Sequence, residues 1–451
     1  MTPIQDIVEA TLRQSSADGC VVVASEHTET SLRWAANSLS TNGQMRSRSV
    51  TVVSSFDVAG GTSAGVVTRS VTNEEELAEL VRASERAGRA AGPADDAAPL
   101  VENYEHGDDW DAVPAQTTVE VFEQFAPTLG AAFERWRKDD RLLFGFAEHQ
   151  LTSSFLATST GLRRRFDQPD GRLELNGKSA DYTRSAWSGL HTEDFLDVDL
   201  DALTAQLDLR LNWAATRLEL PAGRYETILP PTAVADLMIY AYWTGSARDA
   251  EEGRSVFAAS DGATRIGERL APTPLRLHSD PAYHGLQCAP FEITTESEGG
   301  LQSVFDNGAP RDATDWIGDG TLRNLARTRA WAAKTGGQPR PFIDNLILDG
   351  GGTASLDELV ASTERGLLLT SLWYIREVDP QTLLLTGLTR DGVYLIEDGE
   401  VVAAVNNFRF NESPIDLLRR ATEASAAEHV LCREWNDWFT RSIAPALRIP
   451  D

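Results

Sequence analysis

The sequence has too little cysteine for a disulfide framework. Its three cysteines, Cys20, Cys288 and Cys432, lie far apart and match neither a disulfide pattern nor a zinc ribbon. No run approaches the ~18 apolar residues needed to cross a bilayer, so no membrane partner is expected. Basic residues are scarce: 41 Lys and Arg stand against 68 acidic residues, a formal charge of −27. Such a surface repels phosphate backbones, and the strongest basic cluster, Arg163-Arg164-Arg165, is short. Nucleic acid is therefore excluded as an expected partner. The opening Met1-Thr-Pro-Ile-Gln-Asp carries neither the basic n-region nor the apolar h-region of a secretory signal. These absences together predict a soluble cytoplasmic protein.

What is present is globular. A chain of 451 residues, 41% hydrophobic with 11 Trp, exceeds one ordinary core. The pattern divides it into an N-terminal α/β part over 1–117 with a linker at its end, a central helix and strand region over 118–221, and a β-rich part over 222–451. Ile4, Ile7, Val8 and Leu12 fall at helical spacing, and the runs at Cys20, Ser49 and Ala64 read as strands. A helix is expected to start at Thr72, with Glu75 completing a capping box. The Ala/Gly/Pro-rich stretch 91–117, with Asp108-Asp109 beside Trp110, reads as linker. A helix over 118–138 follows, with Pro127 placed to kink or split it. Residues 142–165 read as paired strands turning near Gly161, and 200–218 as another helix. An apolar helix is expected over 232–244. Short β-like runs dominate the remainder, among them a hairpin through Glu397-Asp-Gly-Glu. The fold class predicted is α+β, with curved, mainly antiparallel sheets in the last part.

Chemistry-bearing groups are few. The seven histidines are His27, His106, His149, His191, His278, His284 and His429. Only His278, His284 and Cys288, with Asp280, form a local cluster. Its residue types suit zinc, but its spacing follows no helical or knuckle pattern, and exposed loop histidines are the alternative. Around those residues an active tailoring hydrolase with a metal or thiol site stays open. Gly61-Thr-Ser-Ala-Gly matches the G-x-S-x-G nucleophile elbow, which needs a strand before the serine and a helix after it. Here Val66-Val-Thr follows as a strand, so a glycine-rich hairpin is the reading of Ser63. A polar series, Arg376, Asp379, Arg390, Asp391, Asn407, Arg409 and Asn411, flanks hydrophobic strands. It either contacts substrate or partner, or consists of ion pairs and turn residues that support the sheet.

Several linked elements resemble the TldD/PmbA family of metallopeptidases. Ser303-Val-Phe-Asp-Asn-Gly-Ala-Pro is similar to its D-E-G-x-P element, with Asn307 where Glu is usual. Asp319-Gly-Thr-Leu follows, and Thr386-Gly-Leu-Thr-Arg…Ile-Glu-Asp-Gly-Glu resembles a G-x-S-R…I-E-x-G-E hairpin, with Thr389 for Ser. Asn406-Asn-Phe-Arg-Phe-Asn-Glu-Ser-Pro ends the pattern. Leu32-Arg-Trp-Ala-Ala-Asn-Ser-Leu and Leu156-Ala-Thr-Ser-Thr-Gly-Leu-Arg also look like family elements.

The resemblance implies an α/β domain, a C-terminal domain of curved sheets, and two related subunits enclosing a cavity. It also implies that a catalytic subunit carries H-E-x-x-x-H on a helix, with zinc on its histidines. In this sequence the corresponding helix, Ala233 to Thr244, has no histidine. Its Asp236 and Tyr240 are one turn apart, a poor divalent site. The expectation is a TldE-like subunit with no catalytic residue and no metal of its own, paired with a TldD-like subunit that carries H-E-x-x-x-H and zinc. Together they would cleave peptides or unfolded segments. A homodimeric peptide-binding pseudoenzyme is the further alternative.

Overall fold

The computed structural model describes residues 2–71, 73–102, 109–260 and 262–451. Thr72, His106 and Asp108, used in the sequence reading, lie outside the described residues.

The first half is one antiparallel sheet with helices on it. In chain order it comprises α1 (Ile4–Gln14), β1 (Gly19–Ala35), β2 (Ser38–Val58), β3 (Gly61–Arg69), α2 (Glu74–Ala90), a 3₁₀ turn (Val119–Phe122), α3 (Phe125–Lys138), β4 (Arg141–Thr158), β5 (Arg163–Ser179), β6 (Ser185–Thr192) and α4 (Leu200–Trp213). The strand order is β3-β2-β1-β4-β5-β6, so stretches 1–117 and 118–221 contribute to the same sheet.

Side-chain alternation explains how that sheet is covered. Val22 and Ala24 pack with Ile4, Val8, Leu77 and Leu80 of α1 and α2. Further along the same face of β1, Leu32 and Trp34 pack with Leu129, Trp136 and Leu207 of α3 and α4. The opposite parity, Val21 and Val23, meets Phe291, Val304 and Phe305 of the second half. One long strand thus joins three cores.

Several expected boundaries shift for identifiable reasons. The N-cap of α2 is Asn73, whose side chain accepts the Glu76 N–H at 2.9 Å. The expected helix over 118–138 divides before its proline, because Pro127 lies in the first turn of α3, where its missing N–H is harmless. The helix expected over 200–218 ends at Trp213. Beyond it, Arg217 and Leu218 pair in parallel with Ala404 and Val405, a partner 187 residues away that local pattern cannot reveal (404 − 217). The turn near Gly161 lies between β4 and β5, with Gly161 at φ +97°.

The second half contains β7 (Arg217–Leu218), β8 (Thr227–Leu229), α5 (Pro231–Trp243), α6 (Ala247–Glu251), β9 (Arg276–Ser279), β10 (Thr314–Gly318), β11 (Thr321–Leu322), α7 (Arg329–Thr335) and β12 (Leu346–Asp349). It continues with α8 (Leu356–Ala361), β13 (Arg365–Leu369), β14 (Leu372–Asp379), β15 (Leu384–Thr389), β16 (Val393–Glu397), β17 (Glu400–Val405) and β18 (Arg409–Glu412). The last elements are α9 (Pro414–Arg420), β19 (Glu423–Ala424), β20 (Glu428–Val430), β21 (Ser442–Ala444) and β22 (Leu447–Ile449).

These strands form three sheets, ordered β11-β10-β9-β12-β21-β20, β19-β22-β8-β13-β16-β17-β7 and β14-β15-β18. The helix α5 is buried all round within the largest core, as its uniform hydrophobicity requires. The β16–β17 hairpin turns on Asp398 (φ +49°) and Gly399 (φ +82°). Both residues are left-handed, as a type I′ turn demands of Asp-Gly. The whole is an α+β fold, and no described helix is long and apolar enough to cross a membrane.

Candidate functional site

The helix α5 carries one buried carboxyl, Asp236. Its Oδ1 accepts the backbone N–H of Glu434 at 2.8 Å, and its backbone carbonyl accepts from Trp435 Nε1, also at 2.8 Å. Oδ2 has no hydrogen-bond partner among the described residues. Burial pushes the Asp236 carboxyl well above the usual carboxylate range, opposed by the Glu434 N–H and reinforced by the Glu434 charge. Arg433 also acts against the rise, but the cost of desolvating a buried charge outweighs it.

Cys432 is close enough to feel that group. Burial, then Asp236, raises its thiol well above the ordinary value, and its Sγ donates to the Phe439 carbonyl at 3.1 Å. Zinc takes thiolate, neutral imidazole or carboxylate. Asp236 Oδ1 and Cys432 Sγ are each engaged with backbone, and two such side chains without a third ligand do not fit that group. Among the described residues no three His, Cys, Asp or Glu side chains converge as metal ligands.

The cluster considered from sequence is dispersed by its surroundings. His278 is buried on β9, with Nδ1 lacking a hydrogen-bond partner among the described residues, and His284 is exposed in the following loop. Cys288 is buried, and burial pushes its thiol up to about 11, which removes the nucleophilic thiolate at neutral pH. Ser63 is also buried and donates to the Gly88 carbonyl at 2.8 Å. The second glycine of its motif, Gly65, lies directly under α2: a Cβ there would come within 2.1 Å of the Ser84 carbonyl. Close helix–sheet contact accounts for Gly65, and the β2–β3 turn, with φ +149°, for Gly61.

The seven polar residues occupy several places. Arg376 Nη1 lies 3.3 Å from Glu434 Oε1, over the Tyr374 ring. Glu434 also accepts the N–H groups of Tyr374 and Ile375 at 2.9 and 3.0 Å. Arg376 is thus tied to α5 through Glu434 and Asp236. Asp379 closes a turn by accepting from Gln381 N and Thr382 Oγ1. Arg390 stacks over Trp373 at 5.3 Å, and Asp391 accepts from Ser185 Oγ at 2.7 Å. Asp391 and Asn407 line a cavity of about 420 Å³, together with Arg217 and Glu219.

Arg409 and Asn411 line a different cleft, of about 330 Å³. One wall is β18, the outer strand of the three-stranded sheet. The floor includes Leu229, Leu237, Leu367, Leu372 and Leu417, all buried. Leu237 follows Asp236 on α5, so this helix supplies part of the floor. Arg224, Glu412, Arg420 and Asp451 also line the cleft. Sequence reading passed over Arg224, and its position in Gly223-Arg-Tyr ahead of β8 was the available signal. For Glu434, no local signal existed.

Comparison with known proteins agrees with this architecture. The sequence model of the PmbA/TldA metallopeptidase C-terminal domain matches residues 222–451. TldE from Thermococcus kodakarensis has a similar structure, with a TM-score of 0.80 and 15% identity over 99% of this chain and 98% of that one. A candidate modulator of a DNA gyrase from Thermotoga maritima gives 0.74 at 16% identity, over 99% of this chain and 98% of that one. A candidate modulator of DNA gyrase from Bacteroides thetaiotaomicron gives 0.74 at 14% identity, over 99% and 96% respectively. No curated protein sequence matches the chain. At these identities the structures establish the fold. The C-terminal domain match extends over more than half of the chain, and the chain belongs to the TldD/PmbA metallopeptidase family.

Proposed function

We propose that this chain is a TldE-like, non-catalytic subunit of a zinc-dependent peptidase. In this reading it pairs with a TldD-like subunit that carries H-E-x-x-x-H and the zinc. The chain closes a cavity shared by the two subunits and helps to hold the peptide that the partner cleaves. A cytoplasmic setting, with no nucleic-acid or membrane partner, belongs to the same proposal.

The observation that carries it is the state of α5. A zinc peptidase needs ligands and a carboxylate base on accessible faces of such a helix. Here the helix has no histidine, and its one buried carboxyl serves as an acceptor for the Glu434 backbone. The α5 side chain that lines the cleft, Leu237, suits contact with an apolar segment and not proton transfer.

The test is to express the chain alone and together with a homologue that carries the metal motif. Zinc content and cleavage of an unstructured peptide are then measured. Zinc and cleavage are expected only in the mixture, with both subunits eluting as one species. Stoichiometric zinc with cleavage by the isolated chain would overturn the proposal, as would separate elution of the two subunits.

A further inference from the structure

The cleft beside β18 has a polarity unlike that of the chain as a whole. Its floor is leucine, contributed by β8, α5, β13, β14 and α9. Two exposed arginines, Arg224 and Arg409, stand on its lining, and neither forms an ion pair among the described residues. Arg409 Nε donates to Thr386 Oγ1 at 3.1 Å, which fixes the stem and leaves the terminal nitrogens without a hydrogen-bond partner there. Arg420 differs, because its charge is matched by Glu412.

In a protein of formal charge −27, two guanidinium groups without an ion pair among the described residues stand beside an apolar floor, with Asp451 on the same lining. Arginine forks match carboxylate geometry, and the floor rewards burial of aliphatic carbon. About 330 Å³ lies at the lower end of small-ligand cavities. It accommodates a short peptide segment and not a folded domain.

We propose that this cleft binds an apolar peptide residue with a carboxylate beside it, the side chain on the leucine floor and the carboxylate on Arg224 and Arg409. The inference rests on the peptide-holding role proposed above and gives that role a specificity. The carboxylate has two sources, a peptide's own C-terminus or an acidic side chain next to the apolar residue. Asp451 lines the same cleft and is the internal competitor for the two arginines.

The test uses the isolated full chain and N-terminally labelled hexapeptides, with fluorescence anisotropy at low salt. The peptides end in Leu-Leu as free acid, Leu-Leu as amide, Leu-Glu as amide, or Ser-Ser as free acid. The Leu-Leu acid is expected to bind at least tenfold more tightly than its amide and than the Ser-Ser acid. The R224Q/R409Q double variant, altered only at exposed positions, should bind the Leu-Leu acid no better than the amide. D451N should tighten binding of the acid about twofold. The Leu-Glu amide assigns the source: affinity near that of the Leu-Leu acid points to a side chain, and affinity near that of the Leu-Leu amide to a terminus. Equal affinity for acid and amide would overturn the proposal, as would an unchanged double variant or equal binding of Ser-Ser. Because no partner subunit or zinc is present, these results stand apart from the cleavage experiment. That experiment can fail while peptide binding persists.

Discussion

Asp236 Oδ1 accepts the backbone N–H of Glu434 at 2.8 Å, joining α5 to a loop 198 residues later in the chain. Glu434 then caps two backbone N–H groups of β14 and meets Arg376. The helix α5 thus holds the loop that supports the three-stranded sheet. The carboxyl is buried and its affinity for a proton is raised, so the folded state binds more protons than the unfolded state above an unfolded pKa of roughly 3.9. Stability therefore falls as pH rises from there toward the folded pKa. Asp236→Asn keeps the acceptor and cannot ionise. Its stability relative to the native chain should rise between pH 4.5 and pH 8 in urea titrations. Asp236→Ala should cost about 1–3 kcal/mol, because it leaves the Glu434 N–H without its partner.

The buried Asn307 amide makes three hydrogen bonds to backbone. Nδ2 donates to the carbonyls of Thr294 and Val304 at 2.9 and 3.0 Å, while Oδ1 accepts the Thr294 N–H at 2.8 Å. A carboxylate cannot make the two donations. Asn307→Asp should lower stability by about 2–3 kcal/mol at pH 8, and acidification that protonates the new carboxyl should recover part of the loss. Denaturation of the two proteins at pH 5 and pH 8 checks both statements. An equal deficit at the two values would show that shape, and not donor count, selects asparagine.

Local sequence made some of this legible and not the rest. The Asp398-Gly399 hairpin, the turn near Gly161 and the buried α5 follow from turn chemistry and apolar patterning, which act within a few residues. The cap at Asn73 lies one residue beyond the expected Thr72, because adjacent polar residues can both serve as caps. Arg217 and Leu218 extended the helical pattern, yet pairing with Ala404 and Val405 draws them into a strand. The seven polar residues share one stretch of sequence but are distributed over turns, a cavity and the cleft by sheet register. Their partners, Glu434 for Arg376 and Ser185 for Asp391, come from distant segments. No spacing rule connects such pairs.

Asp170 on β5 links the first sheet to the segment that leads into β21. It meets His191 Nε2 at 3.3 Å and Arg441 Nη1 at 3.0 Å, and accepts from Thr440 Oγ1. Burial alone would raise its pKa, but Arg441, His191 and Thr440 together outweigh it and hold the carboxyl well below the usual range. For a depressed acid the stabilisation is complete above the unfolded pKa of roughly 3.9 and is lost as pH falls toward the folded value. Asp170→Asn should cost roughly 2–3 kcal/mol at pH 7, below the 3–5 of a fully buried pair because Asp170 keeps some access to solvent. The difference between the two proteins should shrink as pH falls below about 4. Acid unfolding followed by circular dichroism measures it.

Arg433 provides a second link, through stacking. Its guanidinium lies 4.9 Å from the Trp187 ring and 4.6 Å from the Trp373 ring, so it sits between β6 and β14. Glu174 completes the arrangement: its Oε2 accepts from Arg433 Nη1 at 3.1 Å and from Trp187 Nε1 at 3.0 Å. A planar, weakly hydrated cation can serve two aromatic faces and a carboxylate at once, whereas an ammonium is a compact, strongly hydrated charge. Charge conservation alone should therefore not preserve the contact. Arg433→Lys is expected to lose about 1–2 kcal/mol of stability and to change tryptophan fluorescence in the folded state. Arg433→Ala should lose more, since Glu174 is left without its cation. If lysine matched arginine in both stability and emission, the link would depend on charge and not on stacking.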